Sequence, residues 1–155
     1  MNLLFYVISV LVIMADQVSK GLVRSHMLVG ETFPFWNDYL TFTHYENSGA
    51  AFSSFQGYGR YFVIIAVGFV AAILYYRRKG EIKGRLMETA AAFLAGGAIG
   101  NAIDRFLFHK VTDFLVFGKS GGILNLADVA INLGMLLLVA HWIVSHFRQR
   151  KPYQL

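Results

Sequence analysis

Four long apolar stretches, separated by intervals of mixed polarity, dominate the chain: Leu3 to about Val23, Tyr61 to Tyr76, about Met87 to Ile103, and about Ile123 to Phe147. Each approaches the roughly 17 to 25 residues that a helix needs to cross a bilayer. The pattern predicts four transmembrane helices. The first stretch has no basic residues ahead of it, its apolar run ends in Asp16, and Leu22 and Val23 continue beyond that break. A cleavable signal peptide does not have this layout, so a retained helix is expected.

The intervals differ in character. Residues 24–60 hold Phe33, Pro34, Phe35, Trp36 and Tyr39, then a run from Tyr39 to Tyr45 with the composition of a strand. A small sheet at the membrane surface is expected, since aromatic side chains suit the headgroup level. Residues 105–122 read as a loop closing on the flexible turn Lys119, Ser120, Gly121, Gly122. The chain shows neither an internal repeat nor a low-complexity segment, and a single domain over residues 1–155 is expected.

Composition supports the membrane reading. The chain is 56% hydrophobic and 15% charged, with mean hydropathy +0.51, whereas soluble domains carry about 25% charged residues. A disordered tail, a collagen-like repeat and a coiled coil are excluded. Cys is absent, which removes disulfides, thiol nucleophiles, zinc-thiolate sites and iron-sulfur centres.

The net charge of +5 does not point to nucleic acid, because the basic residues sit at the ends of apolar runs instead of forming a recognition stripe. Eight of them (Arg77, Arg78, Lys79, Lys83, Arg85, Arg148, Arg150, Lys151) fall on one side of the expected bilayer and six (Lys20, Arg24, Arg60, Arg105, Lys110, Lys119) on the other. Lys20 and Arg105 each lie within a helical turn of an Asp, which strengthens the bias. The positive-inside rule then puts both termini in the cytoplasm.

That topology brings ionisable groups to one depth. Asp16 lies late on the first helix, Asp104 ends the third, and Asp128 is expected about five residues into the fourth, which runs the opposite way. At about 1.5 Å per residue all three reach the outer leaflet or its edge, and Asp113 in the second loop can reach the same region. A carboxylate within a bilayer costs at least about 2.5 to 3.5 kcal/mol and usually faces the protein interior in a functional role. Asn125, Asp128 and Asn132 have the spacing of one helical face, as do Asn101, Asp104 and Arg105, and Asp16 with Lys20.

Plainer roles compete at several of these positions. Asp16 with Lys20 reads first as a structural ion pair, Asp104 with Arg105 equally as an interfacial helix end, and Asn47, Ser48, Gly49 as a turn. Ala92, Gly96 and Gly100 read as a surface for close helix packing, and His141 and His146 have the wrong spacing for a zinc helix. Among nucleophiles, Ser19 and Lys20 are adjacent and so point about 100° apart on a helix, while Ser48 lacks a nucleophile elbow. Two carboxylates remain the most economical catalytic set: held close they cannot both ionise, so one keeps a proton while the other acts as base on a water. This chemistry requires neither metal nor cofactor. Spacing alone leaves open whether Asp104 or Asp113 partners Asp128.

The strings DQVSK at 16–20, NSGAAF at 47–52, GGAIGNAIDR at 96–105, VTDF at 111–114 and NLADVAINLG at 125–134 closely resemble, in order, the motifs of the bacterial lipoprotein signal peptidases, or signal peptidase II. The resemblance implies an all-α membrane protein: four transmembrane helices with a small extracytoplasmic β-sheet and loop, and cytoplasmic termini. It further implies a multi-pass aspartic endopeptidase of the bacterial cytoplasmic (inner) membrane. Such an enzyme removes the signal peptide of prolipoproteins just before a diacylglyceryl-modified Cys, from a site at the extracytoplasmic leaflet. Carried onto this chain, Asp113 and Asp128 are the implied catalytic pair. Asn47, Gly49, Asn101, Arg105 and Asn125 would hold substrate or the pair, Asp104 would orient Arg105 and Asn101, and Asp16 and Lys20 would give structural support. The implied partners are lipidated prolipoproteins and membrane lipids, with no nucleic acid, a monomeric enzyme, and inhibition by globomycin-type cyclic peptides. Ser19 stands where the family commonly has Thr, and Leu124 where an aromatic commonly precedes the Asn. Two rival readings are a small transporter or scaffold with buried Asp residues, and a serine-type membrane peptidase using Ser48 or Ser19.

Overall fold

The computed structural model describes residues 3–37, 39–49, 57–118 and 122–149. In chain order these form α1 (Leu3–His26), β1 (Thr32–Trp36), β2 (Leu40–Asn47), α2 (Gly59–Arg78), α3 (Gly84–Phe108), β3 (Val111–Phe117), β4 (Ile123–Leu124) and α4 (Leu126–Gln149). All four helices are long and apolar enough to cross a membrane. Each of the first three runs past its apolar stretch at one end or both, because flanking polar residues such as Arg24, Arg77, Arg78 and Arg105 continue the helical hydrogen bonding. His109 stops α3 in the left-handed conformation, φ +63°, with its N–H on the Arg105 carbonyl. The tail residues Arg150 and Lys151 and the Lys119–Gly121 part of the expected turn lie outside the described residues.

Helix α3 is the centre of the bundle and packs against α1, α2 and α4. Small residues make this possible, since helix association in lipid depends on close van der Waals approach. A Cβ on Gly96 would stand 2.9 Å from the Val12 Cβ of α1, one on Gly97 would stand 2.5 Å from the Ala127 carbonyl of α4, and one on Gly100 would stand 2.6 Å from an Asp16 carboxylate oxygen. The stripe expected from Ala92, Gly96 and Gly100 is therefore a packing surface, extended by Ser9 Oγ donating to the Ala92 carbonyl at 3.2 Å. The apolar core between the helices holds Phe5, Ile73, Ala91, Ala92, Leu94 and Ala95. Ile64, Leu136 and other large apolar side chains stay exposed on the outer faces, as the hydrocarbon of a bilayer requires. At one end of the bundle Arg77 pairs with Glu88 at 2.9 Å and covers the Phe5 ring, joining α2, α3 and α1.

At the other end lies a four-stranded antiparallel sheet of order β1-β2-β3-β4. Val23, Phe114 and Leu115 bury its inner surface with help from Leu40, Phe42, Leu124, Leu126 and Val129. Strand β1 is an exposed edge, where Pro34 is tolerated because no neighbour needs its missing N–H. The expected sheet is present, but half its strands come from residues 105–122 and their flank, which had read as a loop. Strand β3 is buried from Val111 to Leu115, so it lacks the apolar-polar alternation that betrays a strand with one wet face.

The start of the last helix also differs from expectation. Ile123 and Leu124 pair with Val116 and Leu115 instead of beginning a helix, and α4 starts at Leu126, so Asp128 is its third residue. Asn125 is the cap: its Oδ1 accepts the Asp128 N–H at 2.9 Å while an Asp128 carboxylate oxygen accepts the Asn125 N–H at 3.2 Å. This reciprocal pair satisfies two donors that a helix start otherwise leaves open.

Candidate active site

The ends of α1 and α3 meet the beginning of α4 around three buried charges. Lys20 Nζ lies 2.8 Å from Asp16 Oδ2 and 3.3 Å from Asp104 Oδ2, and all three side chains are 0% exposed. Asp16 Oδ1 accepts the Ala127 N–H at 2.9 Å, placing a negative charge at the positive end of the α4 dipole. Asp104 accepts the Thr112 N–H at 3.0 Å, Gln17 Nε2 at 3.2 Å and an Arg24 guanidinium N–H at 3.5 Å. Buried carboxylates supplied with this many donors tie helices and β3 together.

One residue further along β3 the geometry changes. Thr112 turns toward α1, its Oγ1 accepting from Arg24 at 3.0 Å, so Asp113 faces the other side of the strand. There it lines a cavity of about 710 Å³ together with Asn47, Asn101, Arg105, Asn125 and Asp128. Asp104 is not among the lining residues. The structure brings Asp113 and Asp128 to one space and encloses Asp104 behind it.

Every carboxylate oxygen of Asp113 and Asp128 receives an N–H. Asn125 Nδ2 donates to Asp113 Oδ1 at 2.6 Å and Asn47 Nδ2 to Asp113 Oδ2 at 3.1 Å. Asn101 Nδ2 donates to Asp128 Oδ1 at 2.8 Å, and the Asn125 backbone N–H serves Asp128 Oδ2. Asn47 is itself fixed by a tight turn in which its Oδ1 accepts the Gly49 N–H at 3.0 Å. The turn first read at 47–49 is thus also the device that aims an amide at Asp113. Burial pushes the Asp113 carboxyl up to about 6, with the charge of Asp128 acting in the same direction and the hydrogen bonds from Asn47 and Asn125 opposing it.

Arg105 spans the cavity wall, donating from Nη2 to the Gly49 carbonyl at 3.0 Å and from Nη1 to the Asn101 carbonyl at 3.3 Å. Its guanidinium lies over the Phe62 ring, 5.3 Å from the centroid, and its buried Nε has no partner among the described residues. Asn125 and Asn132 also line the cavity, although Asn125 precedes the helix instead of sharing its face. Ser19 Oγ donates to the Asp16 carbonyl of its own helix at 2.8 Å, and neither Ser19 nor Ser48 lines the cavity.

Sequence reasoning missed the apolar part of the wall. Tyr45, Val111, Ile123, Leu124 and Ile131 line the same space. Tyr45 is the register partner of Asp113 and Asn47 that of Val111, so these four side chains share one sheet face. The alternation Tyr45, Asn47 would have pointed to them had β3 been recognised as its neighbour.

Comparison with known proteins gives the family. A family model described as signal peptidase (SPase) II matches residues 8–144. A lipoprotein signal peptidase of Bacillus pumilus is 37% identical over 137 residues, 86% of this chain and 88% of that protein. One from Halalkalibacterium halodurans is 36% identical over 152 residues, covering 96% and 97%. A bacterial membrane enzyme solved by the in meso method at 2.3 Å resolution superposes with TM-score 0.89 at 28% identity, covering 97% of this chain and 94% of that one. With the ordered motifs, four apolar helices and paired aspartates on one cavity, the chain belongs to the signal peptidase II family of aspartic membrane peptidases.

Proposed function

We propose that this peptidase removes the signal peptide from diacylglyceryl-modified prolipoproteins, cutting just before the lipidated Cys, with Asp113 and Asp128 activating a water. The single observation that carries the catalytic assignment is the shared cavity in which each oxygen of both carboxylates meets an N–H. With one proton held by Asp113, ionised Asp128 takes a proton from water as the oxygen attacks the scissile carbonyl, and Asp113 gives its proton to the carbonyl oxygen. As the tetrahedral diol collapses, one hydroxyl proton returns to Asp113 and Asp128 passes the proton it took from water to the leaving amine, so that the C–N bond breaks and both carboxyls regain their starting states. Asn47, Asn101 and Asn125 hold the two carboxylates apart from competing acceptors, and Arg105, held from behind by the Gly49 carbonyl, forms the wall against which the substrate backbone would lie.

The same reading places both termini in the cytoplasm and the site at the extracytoplasmic leaflet of a bacterial cytoplasmic membrane. The bias of basic residues and the position of the sheet beyond the helix ends support it. It takes residues 1–155 as one domain acting as a monomer, inhibited by globomycin-type cyclic peptides that would compete for the cavity.

Purified protein and a lipidated precursor test the assignment. Replacing Asp113 or Asp128 with Asn should lower turnover by at least about 10³-fold while the protein remains folded, since Asn keeps the shape but cannot exchange the proton. Substantial activity in Asp113→Asn together with none in Asp104→Asn would move the role to Asp104.

A further inference from the structure

Lys20 is the one Lys or Arg among the described residues that is fully enclosed. Its pairing with Asp16 and Asp104 looks at first like a sufficient reason for its presence. Yet its ammonium makes a third contact, donating to Asn101 Oδ1 at 3.0 Å. Asn125 Nδ2 donates to that same oxygen at 3.1 Å.

An ammonium has donors only, whereas an amide has one end that donates and one that accepts. Two donors converging on one end of the Asn101 amide require that end to be the oxygen. The other end, Nδ2, then faces Asp128 Oδ1 at 2.8 Å. Turning the amide over would set its NH₂ against the Lys20 ammonium and the Asn125 NH₂, and its oxygen against the Asp128 carboxylate. All three new contacts would be repulsive. Asn125 is oriented separately, because its Oδ1 accepts the Asp128 N–H, so its Nδ2 is the end that serves both Asn101 Oδ1 and Asp113 Oδ1.

We propose that Lys20, without touching substrate, is a positioning residue for the aspartate pair: together with Asn125 it fixes the Asn101 amide so that Asp128 meets an N–H group and not a carbonyl lone pair. This rests on the catalytic reading of Asp113 and Asp128 given above. Helix pairing by Asp16 and Asp104 does not need the third contact, because each of these carboxylates already accepts a backbone N–H and Gln17 Nε2.

The test compares two charge-balanced double variants, Asp16→Asn with Lys20→Met and Asp16→Asn with Lys20→Gln. Both remove one cation and one anion, while Asp104 keeps Arg24 and the Thr112 N–H. Only Gln retains a donor for Asn101. The Met pair should lose about 10- to 100-fold in kcat with KM within about threefold, and its alkaline pH limb should rise by about one unit as one N–H donor leaves the aspartate pair. The Gln pair should recover most of both effects. Equal kcat and equal pH profiles in the two would overturn the proposal and leave Lys20 a packing ion pair. Should either double variant fail to fold, the wild type decides through the side-chain amide resonance of ¹⁵N-labelled Asn101, assigned by its loss in Asn101→Asp. Amide protons that face Asp128 must move as the aspartate pair titrates, and protons indifferent to that titration would overturn the proposal. Wild type that fails to cleave a lipidated precursor would count against the catalytic reading, with the amide orientation still decided by the resonance.

Discussion

Asn47 reaches across from β2 to donate its amide N–H to Asp113 on β3 at 3.1 Å. The two strands pair antiparallel with Asn47 opposite Val111 and Tyr45 opposite Asp113, so the bond runs diagonally on the cavity face. It is one of two side-chain amides holding down a carboxyl that burial and Asp128 push up to about 6.

A pH profile follows from that balance. If the pair works with one shared proton, kcat/KM should be bell-shaped, with the alkaline limb near 6 marking loss of that proton. Asn47→Ala removes a donor that favours the ionised form, so the limb should move to higher pH, by about one unit for one hydrogen bond to a charged group. A limb that stays in place or moves down would show that Asn47 does not act on Asp113.

The raised carboxyl also predicts a pH-dependent stability difference. Asp113 binds its proton more tightly in the folded chain than in the unfolded one, where its value is 3.8. The stability this gives is complete below 3.8 and is lost as pH rises through about 6. Asp113→Asn does not titrate, so its stability relative to wild type should be more favourable at pH 8 than at pH 4, by at most about 3 kcal/mol. Thermal unfolding in detergent at the two pH values measures this, and a difference of opposite sign would show that Asp113 is ionised more readily in the fold.

Recognition of the substrate lipid is a third expectation. On the proposed function, a diacylglyceryl group would hold the scissile bond at the depth of the aspartates, and each buried CH₂ adds about 0.8 kcal/mol of membrane affinity. One precursor presented with and without the lipid on its Cys, in the same detergent, should be cleaved far faster when lipidated. Equal rates would mean that contacts with the signal peptide alone place the bond.

Topology is checked by reporter fusions. Fusions at Lys79 and after Leu155 should report the cytoplasm and one near Gly57 the opposite side. A C-terminus outside would turn the aspartate cavity toward the cytoplasm and remove the basis for an extracytoplasmic site.

The hydrophobic pattern by itself was enough for the four helices, because each stretch is long enough to satisfy its own backbone in lipid and no other structure would. It also gave the common depth of Asp16, Asp104 and Asp128, since rise per residue is fixed. The ordered motifs carried the family and, with it, the site residues that the proposed function uses. The sequence could not separate Asp104 from Asp113 by spacing, nor reveal β3, whose burial from Val111 to Leu115 hides its period of two.

In the tertiary structure one register puts Asp113 on the cavity beside Asp128 and leaves Asp104 off it. Thr112 donates its N–H to Asp104 and accepts from Arg24 at its Oγ1, which commits the other side of β3, with Val111 and Asp113, to the cavity. A slip of one residue would exchange the two faces and bury Asp113 behind the wall. Which face a strand presents depends on its partners, and those lie far away along the chain, on α3 and β2. That is why this choice was made only when the helices and the sheet closed on one another.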